Sequence, residues 1–290
     1  MLSRIHLDLE GTVQHWYLAS KIMGCYIKNI ISNDDVRTDI KSLIPDSTVR
    51  RRMSRVLKMA VSTAIECCHG INNINNIDAI ITSTGYGCLA DSEKFLRNII
   101  DNKEELLNPT PFIQSTFNTV GGQIALLSHN HCENITYVNR SHSFEDALLD
   151  SFLQLKSGSA ERILLGSFDE VTESSDIILH RMGTFRKGKK NGEGSVFTEL
   201  SSQKTDECKA EIMNVAFVNH VMSEKECLAI YSSKNNCRLV MNSYEDYGLY
   251  PTVSSMILYH CIADIIADEE VIICNNYLGM NSSVIVIKGL

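Results

Sequence analysis

Several runs, "IDAIITSTGYG", "AERILLGSFDEVTE" and "EEVIICNNYLGMNSSVIVIKGL", carry β-branched and apolar residues on consecutive positions rather than on alternate ones. That is the pattern of strands covered on both faces, and it limits the fold more than any other feature of the chain. Strands of this kind need helices above and below them, and the segments between supply these. In "TVRRRMSRVLKMAVSTAIE", Met53, Val56, Leu57, Ala60, Val61, Ala64 and Ile65 recur three and four apart, so one helix from Thr48 buries an apolar stripe and turns its arginines outward. A second amphipathic helix runs from about Asp91 to Leu107 and stops before "NPTPF", and "GQIALLSHN" is a third. "AEIMNVAFV" reads as a strand within the otherwise polar stretch Lys204 to Asn242, and "YGLYPTVSSMILYHCIADIIA" reads as a turn and a buried helix. The expected class is a layered α/β protein.

The chain has 290 residues, 44% of them hydrophobic, with four prolines and a formal charge of −8. The acidic balance argues against nucleic acid as a partner. No window holds the roughly 18 uninterrupted apolar residues of a membrane span. "MLSRIHLDLEGTVQHW" places polar groups where a secretion signal keeps an apolar block, so a cytoplasmic protein is expected. Ten cysteines are scattered through apolar runs with no C-x-x-C pair, which reads as reduced, packed thiols, with neither metal nor cofactor. "GEGSVFTEL" has the glycines of a phosphate loop but no strand before them and no G-K-[ST] after, so it reads as a turn into a strand.

The chemistry concentrates in "ITYVNRSHSFEDALLDSFLQLKSG", a strand running through a tight bend into a helix. Ser141 and His142 stand at that bend, where the free N–H groups of a first helical turn can stabilise an anion. Ser143 reads as a plain N-cap, ahead of Glu145 and Asp146.

"IPDSTVRRRMSRVLKMAVSTAIE", the stretch from "IITSTGYGCLADSEK" through "NPTPFIQSTFNTVGGQIAL", "SFEDALLDSFLQLKSGSAERILLGSFDEVTE", "GEGSVFTEL", "GLYPTVSSM" and "NNYLGMNSSVIVI" follow one another in an order and spacing that resembles the β-ketoacyl synthases. The resemblance is to a divergent bacterial branch that includes chain-length-factor-like partners. It implies a thiolase-like α/β/α/β/α fold, with a synthase-like half over 1–200 and a shortened second half over 201–290. In that family the bend carries a cysteine that accepts an acyl group from an acyl carrier protein, and here that position falls on Ser141. A thiol has a reference pKa near ~8.5 and yields useful thiolate, whereas a serine hydroxyl needs an adjacent base. The two family histidines find no clear match: His220 lies in the right region without the flanking motif, and "YGLYPT" offers Tyr250 and Thr252 instead.

What the resemblance implies is a catalytically degenerate synthase homologue, a chain-length-factor-like or dimer partner of an active condensing enzyme in fatty-acid or polyketide-type (aryl polyene, resorcinol pigment) biosynthesis. Its partners would be an acyl carrier protein and an active synthase, or a second copy, meeting near Ile113 to Val120 and Thr136 to Asn139. The alternative is an active acyltransferase or malonyl decarboxylase using Ser141 with His142, or Cys88. A third reading is a remnant interaction protein without a carrier. Asn118, Tyr250, Thr252 and Asn275 are the candidate pocket residues, and Arg50, Arg51, Arg52 and Arg55 the candidate docking surface for an acidic carrier.

Overall fold

The computed structural model describes residues 23–185, 189–233, 236–244, 247–276, 279 and 281–290, and the first twenty residues lie outside these. Its strands are β1 (Tyr26–Ser32), β2 (Ala79–Ser83), β3 (Glu133–Tyr137), β4 (Arg162–Asp169), β5 (Gly194–Ser201), β6 (Ala210–Val218), β7 (Cys237–Met241), β8 (Glu270–Asn275) and β9 (Ser282–Gly289). The longer helices are α1 (Arg55–Cys67), α2 (Leu89–Asp101), α3 (Thr119–Ser128), α4 (Ser143–Ser157), α5 (Glu173–Arg181), α6 (Glu224–Tyr231) and α7 (Val253–Asp264).

The strands form one mixed sheet in the order β3-β2-β4-β5-β1-β6-β9-β8-β7. Read outward from its centre, this order repeats. β1 and β6 meet antiparallel through Tyr26↔Glu211 and Ile27↔Ala210. On one side β5, β4 and β2 follow, and on the other β9, β8 and β7, with the same antiparallel, antiparallel, parallel sequence of pairings. Only β3 has no counterpart among the described residues. Between β2 and α4 lie residues 84–142, but between β7 and α7 only 242–252, so the second half lacks the excursion that carries an outermost strand.

Burial explains the layering. β4 is buried on both faces: Ile163 and Leu165 join a core with Phe144 and Leu148 of α4 and Val253 and Ile257 of α7. Leu164 and Phe168 join another with Val56, Ala60 and Ala64 of α1 and Ile124 of α3. A third, smaller core sets α6, through Cys227, on Ile272 and Val284. Outer helices, half-sheet, central helices α4 and α7, half-sheet and outer helix therefore succeed one another, which is the thiolase-like arrangement. Alternation of side chains across a pleated strand is what lets one strand serve two cores.

Several boundaries differ from the sequence expectations. The expected single helix from Thr48 is two: Ser47–Arg52 ends at Met53, which is extended (φ −73°, ψ 131°), and α1 begins anew after Ser54. Asp46 caps the first piece and buried Met53 anchors the break, so the arginines divide between two axes. α2 stops at Asp101, because Lys103, Glu104 and Leu106 take φ between 48° and 68°. α3 starts at Thr119, ahead of its glycines; a Cβ on Gly121 would stand 2.5 Å from Asn134 Oδ1 of β3, so the helix packs there by close approach. α6 and β7, inside the stretch taken as mostly polar, and β1 had too weak a pattern to be read.

Gly166 lies opposite Phe197 across β4 and β5, and a Cβ there would stand 2.2 Å from the Phe197 ring. Gly166→Ala is therefore expected to cost about 1–3 kcal/mol through overpacking. A lower urea midpoint would show it, and Phe197→Leu in the same chain should make the two losses less than additive.

Candidate functional site

The bend between β3 and α4 is a 3-10 turn over Arg140–His142, entered with Arg140 at φ 51°. That left-handed conformation is costly for a side chain with a Cβ, and the surroundings hold it in place. Ser143 contributes, but not as the expected N-cap. Its hydroxyl donates to Arg140 O (2.8 Å) and accepts the Asn139 N–H (2.8 Å), because the turn has displaced the helix start and left His142 at the cap. Asn139 Nδ2 also donates to Asp146 Oδ2 at 2.8 Å. Gly85, after β2, approaches so closely that a Cβ would lie 2.2 Å from Pro251 Cβ and 3.2 Å from Arg140 O.

Ser141 is buried in this turn. Among the described residues, no hydrogen bond joins its hydroxyl to an imidazole or a carboxylate. His142 turns elsewhere: Nε2 meets Asn281 Oδ1 at 2.9 Å, Nδ1 is buried with no hydrogen-bond partner among the described residues, and the ring stands edge-on to Phe217 with centroids 5.4 Å apart. His220 is on the surface, paired through Nε2 with Glu226 Oε1 at 2.6 Å. Among the described residues, the bend therefore presents a serine with no base hydrogen-bonded to it, and a serine hydroxyl needs such a base to act as a nucleophile. Cys88 is fully buried in the α1–α3 core, where burial pushes its thiol up to about 12.

Beneath the bend lies the group that organises the region. Asp169, at the end of β4, is wholly buried and accepts five hydrogen bonds. Oδ1 takes Thr84 Oγ1 (2.9 Å), Gly85 N (3.0 Å) and Tyr86 N (2.8 Å), and Oδ2 takes Thr252 N (3.1 Å) and Thr252 Oγ1 (2.8 Å). Burial pushes the carboxyl up from its ordinary range, and these donors pull against that shift. A related brace crosses at the other central helix. Glu145, in the first turn of α4, accepts from Ser283 Oγ of β9 (2.7 Å) and from Asn275 Nδ2 at the end of β8 (3.3 Å). Tyr244 closes the brace with its hydroxyl against Asn275 Oδ1. Burial raises the Glu145 carboxyl, and its Oε2 has no partner among the described residues.

The candidate pocket residues thus separate. Thr252 and Asn275 belong to the two braces. Tyr250 is buried against the Gly192–Gly194 turn, where a Cβ on Gly192 would stand 2.8 Å from its ring. Asn118 is exposed at the start of α3. Two clefts open elsewhere, one of about 220 Å³ beside Arg52, Ile113 and Gln123, the other of about 190 Å³ beside Lys28 and Arg162, and neither reaches Ser141 or these four.

The arginines separate as well. Arg50 turns back to Ile44 O and Pro45 O, and Arg51 donates to Ser47 O at 3.2 Å, while Arg52 stays exposed. Arg55 does not share their face: Nη2 reaches Glu193 Oε2 (2.6 Å), Val171 O (3.2 Å) and Glu170 Oε2 (3.5 Å), tying α1 to the end of β4 and the turn before β5. The sequence reading missed Asp169 and Glu145 as organising groups. The available signal was an acidic pair directly after an unbroken apolar strand in "LLGSFDE". All ten cysteines are free, and all but Cys132 and Cys237 are buried. Among the described residues, no cluster of three or more His, Cys, Asp or Glu could hold a metal, and no helix is long and apolar enough to cross a membrane.

Residues 28–175, half of the chain, match the family model for the β-ketoacyl synthase N-terminal domain. The chain belongs to that family. No curated protein matches it. Among solved structures it is similar to the ishigamide ketosynthase/chain length factor, at 13% identity and TM-score 0.70 over 92% of this chain and 99% of that one. It is similar to a type II polyketide synthase ketosynthase, AntDE, solved with its acyl carrier protein AntF, at 11% identity and TM-score 0.72 over 92% and 100%. The ketosynthase of Xenorhabdus doucetiae in complex with its chain length factor matches at 13% identity and TM-score 0.59 over 92% and 99%. At such identities these likenesses establish the fold.

Asp169→Asn would set an amide NH₂ against donors that need an acceptor, with an expected loss of about 2–3 kcal/mol. Urea unfolding measures it, and equal stability would remove Asp169 from its organising role. Because the Cys88 thiol stays protonated and enclosed, iodoacetamide at about pH 8 should leave it unmodified in the native chain and label it only after unfolding; peptide mass mapping distinguishes the two.

Proposed function

We propose that this chain is a non-catalytic member of the β-ketoacyl synthase family that pairs with an active condensing enzyme, as a chain length factor does, and shapes or steadies that enzyme's acyl site. The observation that carries this reading is at Ser141: the bend position that the family resemblance assigns to the nucleophile holds a hydroxyl, and no base among the described residues is hydrogen-bonded to it. A condensing reaction needs an activated nucleophile and donors aimed at a developing oxyanion. Here the one imidazole at the bend meets Asn281 through Nε2 and Phe217 through its ring, which join the bend to the second half of the chain.

The braces support the same reading. Asp169 and Glu145 keep the bend, the β2 end and both central helices in register, so the surface around the bend is preserved although its chemistry is not supplied. Such a surface serves a partner. The resemblance to a ketosynthase solved with its chain length factor supports the kind of partner, and exposed Arg51 and Arg52 suit an acidic carrier protein approaching the pair.

Intact-mass measurement after incubation with malonyl and longer acyl thioesters is expected to show no adduct on the isolated chain, and the same chain co-expressed with its condensing enzyme is expected to co-purify with it. An acyl adduct that disappears in Ser141→Ala would establish the enzyme reading instead.

A further inference from the structure

The smallest of the three cores is, for its size, the richest in sulfur. It gathers Met222, Cys227 and Cys274 with Ile272, Val284 and Val286, and Met241 packs against it. Met222 comes from the loop before α6, Cys227 from α6 itself and Cys274 from the end of β8, and all three are buried. Cys274 and Ile272 stand two apart on β8, so they share the face that α6 covers. Met241 is the register partner of Cys274 on β7 and brings a second thioether to that face. Cys227 Sγ stands 4.0 Å from Met222 Sδ. The Cys227 and Cys274 side chains interact directly, and burial pushes both thiols above their ordinary range.

Neighbouring polar groups fix these sulfurs in place. Met222 N donates to Ser282 Oγ at 2.9 Å, Met222 O accepts from Asn276 Nδ2 at 3.1 Å, and Cys274 Sγ donates to Asn276 Oδ1 at 3.5 Å. Asn276 thereby holds the segment that carries the thioether and one of the thiols at the same time, which is how an outer partner orients ligands.

We propose that Met222, Cys227 and Cys274 form a binding site for a soft monovalent cation, copper(I), which ties α6 to the end of β8. Thiolate and thioether sulfurs select copper(I), whereas calcium and magnesium require oxygen ligands and structural zinc takes four ligands from cysteine, histidine or carboxylate. With metal–sulfur bonds of about 2.3 Å, as zinc thiolates have, three sulfurs in a trigonal plane stand about 4.0 Å apart, which matches the Cys227–Met222 separation. On binding, each thiol gives its proton to solvent and bonds the ion through sulfur, Met222 bonds without losing a proton, and no electron is transferred. The ligands come from separate segments, so no C-x-x-C spacing announces the site. Leu228 and Val221, both exposed, lie on α6 and just before it, and local opening of this short helix admits the ion. The proposal is independent of the reading of Ser141.

The chain carrying Cys132→Ser and Cys237→Ser, which lacks the two thiols that are not buried, tests this. Copper(I), supplied without oxygen as its bicinchoninate complex, is expected to transfer to the folded protein at one ion per chain with release of two protons. The copper X-ray absorption fine structure should show sulfur neighbours alone, at about 2.3 Å. Cys227→Ala, confirmed as folded by circular dichroism, is expected to abolish the transfer. Asn276→Ala, and Met222→Leu, which conserves volume, are each expected to weaken it at least about tenfold. Met222→Leu decides the matter where Cys227→Ala fails to fold. No transfer to the folded parent chain, oxygen or nitrogen neighbours around the copper, or uptake unchanged in folded Cys227→Ala or Met222→Leu would overturn the proposal.

Discussion

One carboxylate holds the working end of this protein together. Asp169 draws on three segments that are distant in the chain: the end of β4, the turn after β2 and the N-terminus of α7. Backbone N–H groups can only donate, so at this junction they need an acceptor, and an ionised carboxylate offers lone pairs on both oxygens. A buried charge is expensive unless its hydrogen-bonding capacity is filled, and here it is filled by five donors. The close approach of Gly85 to Pro251 and Arg140 follows from that convergence.

The topology gives this junction a counterpart. β4 and β8 occupy corresponding places in the two runs of strands, and each ends in a residue that reaches the central helix of the opposite half, Asp169 to α7 and Asn275 to Glu145 in α4. The two halves are thereby fastened crosswise at the end of the sheet where the bend lies. The fastening is not symmetric in chemistry. Asp169 has every oxygen engaged, whereas Glu145 leaves Oε2 without a partner among the described residues. Geometry at the bend is thereby held by groups other than Ser141 and His142.

The arginine island shows how a sequence pattern can be right in composition and incomplete in space. Spacing placed Arg50 to Arg55 on one exposed face of one helix. The break at Met53 and Ser54 separates them, and Arg55 becomes a tie among Glu170, Glu193 and Val171. No local periodicity reveals that break, because Met53 is buried by contacts with a core assembled from residues far along the chain. The expected strand "AEIMNVAFV" coincides with β6, whereas β1 and β7 escaped notice. β1 mixes Lys28 and Asn29 into a short run, and β7 is half-buried throughout, so neither shows the unbroken apolar signal of a central strand.

The sequence by itself determined the layered α/β class, the strands buried on both faces, the strand-bend-helix that carries Ser141 and the family to which the chain belongs. These are written in runs of neighbouring residues, and hydrophobic period and turn chemistry act over such distances. Only the tertiary structure decided that His142 faces Asn281 and Phe217, that Asp169 and Glu145 brace opposite helices, and that β3 stands at the end of the sheet. Each of those depends on which distant segments the sheet order brings side by side, and a hydrogen bond is fixed by atoms within about 3 Å, not by separation along the chain.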